Sequence, residues 1–103
     1  MRIHELTSWP QFFQPMLEGK KLWDIRKNDR NYLMGDILLL REWNPDTKEY
    51  TGRQEIVRVD YMITELPPSF GLFISGFVVM SMTKVKFEVT DAISSTVQNT
   101  ESL

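Results

Sequence analysis

With 103 residues, 42% of them apolar and 25% charged, the chain is long enough for one hydrophobic core and too short for a second. A net charge of −2 argues against a protein that coats nucleic acid by phosphate neutralisation alone; the absence of cysteine excludes disulfide and thiolate chemistry, and a single histidine leaves too few ligands for zinc. No apolar run approaches the roughly 18–20 residues that cross a bilayer and no leader-like segment opens the chain, so a cytoplasmic protein with no membrane association, no metal and no cofactor is expected.

Residues 2–6 read as a short first strand. His4 lies within it, and a lone histidine on such a strand reads as a partly buried structural residue before it reads as a catalyst. Thr7 or Ser8 is placed to cap a helix that opens at Trp9-Pro10 and runs to about Glu18, since proline is accepted in a first helical turn. Trp9, Phe12, Phe13, Met16 and Leu17 recur at helical spacing and predict one core-facing stripe. Pro15 interrupts that pattern and predicts a short or kinked helix.

Gly19 suits the left-handed residue that ends a helix. From Gly19 to Arg30 the chain carries five basic and two acidic side chains, the densest positive charge in a protein that is acidic overall. Within it Trp23 and Ile25 alternate with Asp24 and Arg26, the period of a strand. The expectation is that Trp23 and Ile25 face the core while Asp24 and Arg26 project from the other side, with Lys20 and Lys21 leaning over the same surface from the helix–strand corner.

Gly35-Asp36 before Ile37-Leu38-Leu39-Leu40 reads as a turn feeding a strand buried on both faces. Asn44-Pro45-Asp46-Thr47-Lys48 is a turn by composition and joins that strand to a long antiparallel arm, bent near Gly52. Along residues 54–64, Val57, Val59, Tyr61 and Ile63 are predicted inward, with Arg58 and Asp60 outward. Residues 65–71 break the pattern as a loop and Phe77 to Thr83 form a last strand. The domain is expected to occupy residues 1–84, followed by a polar, mobile tail over 85–103. The fold class is α+β: a small, partly closed barrel of five to six mostly antiparallel strands with one N-terminal helix against one side.

The string Gly19-x-Lys21-x-x-Asp24-x-Arg26 resembles the Gly-x-Lys-x-x-Glu-x-Arg signature of ASCH domains in the PUA-like superfamily. Gly35-Asp36 with its aliphatics and Phe77-Val78-Val79 continue the likeness, which covers roughly residues 3–83. Ile25-Arg26-Lys27-Asn28-Asp29-Arg30, Arg41-Glu42-Trp43 and Tyr50-Thr51-Gly52-Arg53 are closer still to a compact ASCH-like family of bacteria and phages that carries no assigned function. The resemblance implies a PUA-like pseudo-barrel with a cleft between helix and barrel, lined by the signature lysine, acid and arginine. It also implies binding of RNA or a modified nucleoside, and in some small members hydrolysis of the acetyl amide of N4-acetylcytidine.

Two readings of the charged stretch follow, set against a plain one. In the binding reading, Lys21 and Arg26 meet a phosphate or base carbonyl, and Asp24 accepts from an exocyclic amine. Lys20, Lys27, Asn28 and Arg30 extend the positive rim, and aromatic residues supply stacking. Tyr32 and Phe70, placed in loops, are the better stacking candidates; Trp23 and Trp43 are the lesser ones, with Trp23 read as core. In the enzyme reading, Lys21 is a nucleophile or base, which requires its pKa to fall well below about 10. Asp24 stands where the family carries Glu, or Thr in the small amidohydrolases, and the segment 65–76 holds only Glu65 as a second acid. In the plain reading, Asp24 and Arg26 are a solvated surface pair worth about 1 kcal/mol or less.

Overall fold

A computed structural model describes residues 1–66, 69 and 76–86. In chain order they form β1 (Ile3–Ser8), α1 (Pro10–Leu17), β2 (Trp23–Lys27), β3 (Ile37–Asn44), β4 (Glu49–Ile63) and β5 (Phe77–Lys84). The strands make one sheet in the order β1-β3-β4-β5-β2, curled into a half-barrel. β1 runs parallel to β3, whereas the β3–β4, β4–β5 and β5–β2 pairings are antiparallel. The aliphatic run Ile37–Leu40 lies between β1 and β4 and is buried on both faces, as its composition predicts. Among the described residues no helix is long and apolar enough to cross a membrane.

α1 covers the concave side. Phe13 and Met16 are fully buried and Leu17 packs against the same core. Each such side chain contributes about 1.5–3 kcal/mol by burial. That anchoring, rather than intrinsic propensity, holds a helix of eight residues, well under the roughly 12–15 that are marginal in isolation. Pro10 occupies the first turn and Pro15 sits near the end, where little helix remains to be disrupted. The helix closes with the Gly19 amide on the Met16 carbonyl at 3.0 Å and the Lys20 amide on the Pro15 carbonyl at 2.9 Å. Gly19, at φ +77°, supplies the left-handed residue this closure needs.

Several expectations are corrected. Neither Thr7 nor Ser8 caps the helix: both belong to β1, and Trp9 is the N-cap without a side-chain bond. Trp9 and Phe12 are about half exposed, so the core-facing stripe is narrower than the spacing predicts. In β4, Val57 and Val59 are buried but Tyr61 is 61% exposed and Ile63 is also exposed. The pairing of β4 with β5 shifts register between Val59 and Tyr61, so one inserted residue exchanges the faces beyond it and brings Met62 onto the core.

The largest correction is β2. Trp23 is 48% and Ile25 53% exposed, while Asp24 is only 8% exposed and Arg26 is half-buried. The strand's faces are the reverse of those predicted, because its inner face meets an open seam that polar groups fill. The β3–β4 hairpin forms where predicted: the Lys48 amide reaches the Asn44 carbonyl at 2.8 Å, and Asn44 Oδ1 accepts from the Asp46 amide. The predicted mobile tail falls almost wholly on 87–103, outside the described residues, as do Phe70 and most of the predicted loop around it.

Candidate functional site

Among the described residues, β1 and β2 are the two free edges of the curled sheet. An unpaired edge presents backbone groups that need partners, and here arginine side chains provide them. Arg26 Nη2 donates to the Thr7 carbonyl at 2.8 Å and Arg30 Nη1 to the Glu5 carbonyl at 3.1 Å. Residues 5 and 7 present carbonyls to the same side of β1, so two guanidinium groups bridge the seam where a strand ladder would otherwise close the barrel. Arg26 Nε also donates to Asp24 Oδ2 at 3.0 Å, which holds the inward carboxylate in an ion pair.

Among the described residues, two clefts flank this seam. The first, about 510 Å³, lies between the α1 entrance and β2. Thr7, Ser8, Trp9 and Phe12 line one wall, and Lys21, Trp23, Asp24, Ile25 and Arg26 the other. Lys21 Nζ donates to the Trp23 carbonyl at 2.8 Å and stands 4.9 Å from the Trp23 ring centroid and 5.9 Å from that of Phe12. Burial pushes its pKa below the ordinary lysine value; Asp24 pulls it back and Arg26 pushes it further down. An ammonium donates three hydrogens, so one bond to Trp23 leaves two for a ligand. Asp24 Oδ1 makes no hydrogen bond among the described residues and offers a carboxylate acceptor in the same cleft.

The second cleft, about 380 Å³, is lined by Leu6, Ile25, Arg26, Lys27, Asp29, Arg30, Tyr32 and Phe77. Ile25 and Arg26 are common to both clefts.

The residues singled out in the sequence therefore divide. Lys21, Asp24 and Arg26 share the first cleft, and Arg26, Lys27 and Arg30 the second. Lys20 does neither: its ammonium lies 3.4 Å from Glu18 at the surface. Asn28 is exposed, and its backbone amide bonds to the Gly76 carbonyl at 2.8 Å. Trp43 is half-buried on β3 and lines neither cleft. Glu65 is exposed beyond β4.

Tyr32 lies outside the helix and strands, as predicted, and lines the second cleft, but it is not the exposed stacking ring expected. It is 4% exposed, packed in the core with its centroid 4.8 Å from His4, and burial raises its pKa. His4 itself is buried, with Nε2 2.9 Å from Asp36 Oδ2. Asp36 also accepts from the backbone amides of Arg2 and Leu33, so this group ties the chain start to the turn before β3.

Sequence reasoning placed Trp9 and Phe12 in the core and passed over Thr7, Ser8 and Phe77 as lining residues. A signal for the rings was present: four large apolar side chains, with Trp9 just before them at the N-cap, crowd a helix of eight residues, more than one buried face can take.

The chain is 43% identical over 58 residues to the "Uncharacterized 12.9 kDa protein in GpA 3'region" of Escherichia phage P2. The match takes in 56% of this chain and 51% of the phage protein, so the chain spans about half the length of that curated relative. The family model described as "Domain of unknown function (DUF3850)" matches residues 3–82, from the first strand into the fifth, and the chain belongs to that family.

Proposed function

We propose that the chain is an ASCH-like, PUA-like binding module that takes a cytosine-like base, free or within single-stranded RNA, in the cleft between α1 and β2. The observation that supports this is the pairing of an ammonium with a carboxylate oxygen in one cleft walled by Trp9, Phe12 and Trp23. Cytosine presents an exocyclic amine beside ring acceptors. Asp24 Oδ1 accepts from the amine, Lys21 donates to the acceptors, and the rings give the base a stacking surface. Arg26 serves chiefly as the clamp that aims Asp24, since its Nε and Nη2 are already engaged.

Quenching of intrinsic tryptophan fluorescence tests this directly, because two of the three tryptophans line the cleft. Cytidine is expected to quench more strongly than uridine, with the preference lost in Asp24→Asn and binding lost in Lys21→Met. Equal response to both nucleosides, or none at millimolar concentration, refutes the proposal.

One observation favours a second reading, hydrolysis of an acyl amide on such a base: the lowered pKa of Lys21 moves it toward the neutral amine that a nucleophile or base requires. Ultraviolet detection of N4-acetylcytidine turnover, absent in Lys21→Ala, would establish it. No turnover by the wild-type protein leaves the binding module.

A further inference from the structure

We infer that the second cleft is a subsite for the neighbouring nucleotide, so that the preferred ligand is a single-stranded oligonucleotide rather than a free nucleoside. This rests on the base-binding function proposed for the first cleft and extends it along the β1–β2 seam. The two clefts are contiguous through Ile25 and Arg26, so a chain leaving one enters the other.

Their chemistry differs in the way a nucleotide chain requires. The first combines rings with a donor and an acceptor suited to a base edge. The second sets Arg26, Lys27 and Arg30 against Asp29 alone, an excess of positive charge suited to a phosphodiester. Lys27 faces Phe77 across the β2–β5 ladder, so cation and ring lie side by side on one face. That face continues through Ile25 to Trp23, since alternate residues of a strand share a side. Trp23, Ile25 and Phe77 are 48%, 53% and 42% exposed, an apolar track along the outside of an edge strand. From Trp23 to Lys27 it runs about 13 Å at roughly 3.3 Å per residue, longer than one base needs. Lys27 and Arg30 take the phosphate that follows the first base, and Ile25 with Phe77 receives the second base.

Competition and anisotropy titrations with cytidine, cytidine monophosphate and 5′-labelled ribo-oligocytidylates of two, three and six nucleotides read this out. Affinity is expected to rise by at least tenfold between monophosphate and dinucleotide or trinucleotide. The gain should shrink in Lys27→Ala and in Phe77→Ala, two exposed positions outside the first cleft, while cytidine binding stays at the wild-type level. The salt dependence of oligonucleotide binding should fall by about 0.7 in log–log slope in Lys27→Ala. If cytidine binds as tightly as the trinucleotide, or if both variants retain the full gain, the subsite is overturned and the base cleft stands. If no probe binds, both fail together.

Discussion

Replacing Arg26 by Met keeps the aliphatic stem and removes two bonds, one across the seam to Thr7 and one along β2 to Asp24. The Asp24 side chain is 11% exposed and that of Arg26 22%, so solvent screens their ion pair only in part. A hydrogen bond to a charged group contributes about 1.5–3 kcal/mol, and a buried carboxylate stripped of its partner costs about 3–5 kcal/mol. With a discount for the exposed part of Arg26, the loss is about 3 kcal/mol. For m of about 1–3 kcal/mol/M, the urea midpoint falls by about 1–3 M.

The double substitution Asp24→Asn, Arg26→Met separates clamp from packing. An amide is far cheaper to leave in the seam than a carboxylate, so the pair should be at least about 1 kcal/mol more stable than additivity allows. Urea unfolding followed by both tryptophan fluorescence and circular dichroism measures all four corners of the cycle. A loss below about 1 kcal/mol in Arg26→Met, or strict additivity in the double variant, would show that the seam is held by something other than this clamp.

Lys21→Met should leave stability within about 1 kcal/mol of wild type, since one bond to Trp23 is exchanged for relief of ammonium desolvation. Because the folded pKa of Lys21 is lowered, the unfolded chain binds more protons between that value and 10.5, and wild-type stability should rise with pH there relative to Lys21→Met. Burial alone would raise the Asp36 pKa, but bonds from His4, Leu33 and Arg2 outweigh it; Arg53 chiefly lowers that of Glu42. Both carboxylates therefore add stability that is complete above their unfolded values and lost as pH falls through the folded ones. Acid titrations of unfolding free energy from about pH 5 downward should show a shallower decline in Asp36→Asn and Glu42→Gln. Gly19→Ala should cost about 1–2 kcal/mol by thermal melting although space is open around it, because φ of +77° disfavours any β-carbon.

Much of the scaffold was legible in the sequence because the relevant signals are local. Leu38 and Leu40 with their neighbours announce a two-sided strand, Asn44 to Lys48 a hairpin turn, and Gly19 a helix end; each depends on a few adjacent residues. The lysine, acid and arginine were also legible as a group, since Lys21, Asp24 and Arg26 lie within six positions of one another. What stayed hidden depends on tertiary position. The orientation of β2 was misread because alternation reports two faces without saying which is inside, and an edge strand beside a polar seam can turn its charged face inward. The exchange beyond Val59 needed knowledge of a bulge that no glycine marks. Tyr32 lies outside regular structure by sequence, yet His4, 28 positions earlier, gives it a core partner.

The site is also ordered in time. β2, at residues 23–27, has its ladder partners at residues 77–81, whereas β1 finds its own by residue 42. As the chain is synthesised, β1, the helix, β3 and β4 can assemble while β2 still lacks the strand that positions it, and pairings so distant are slow to close. The aromatic wall of the cleft is therefore in place before the charged wall. The cleft is complete only when the last strand docks, so any binding proposed for it would report on completed folding.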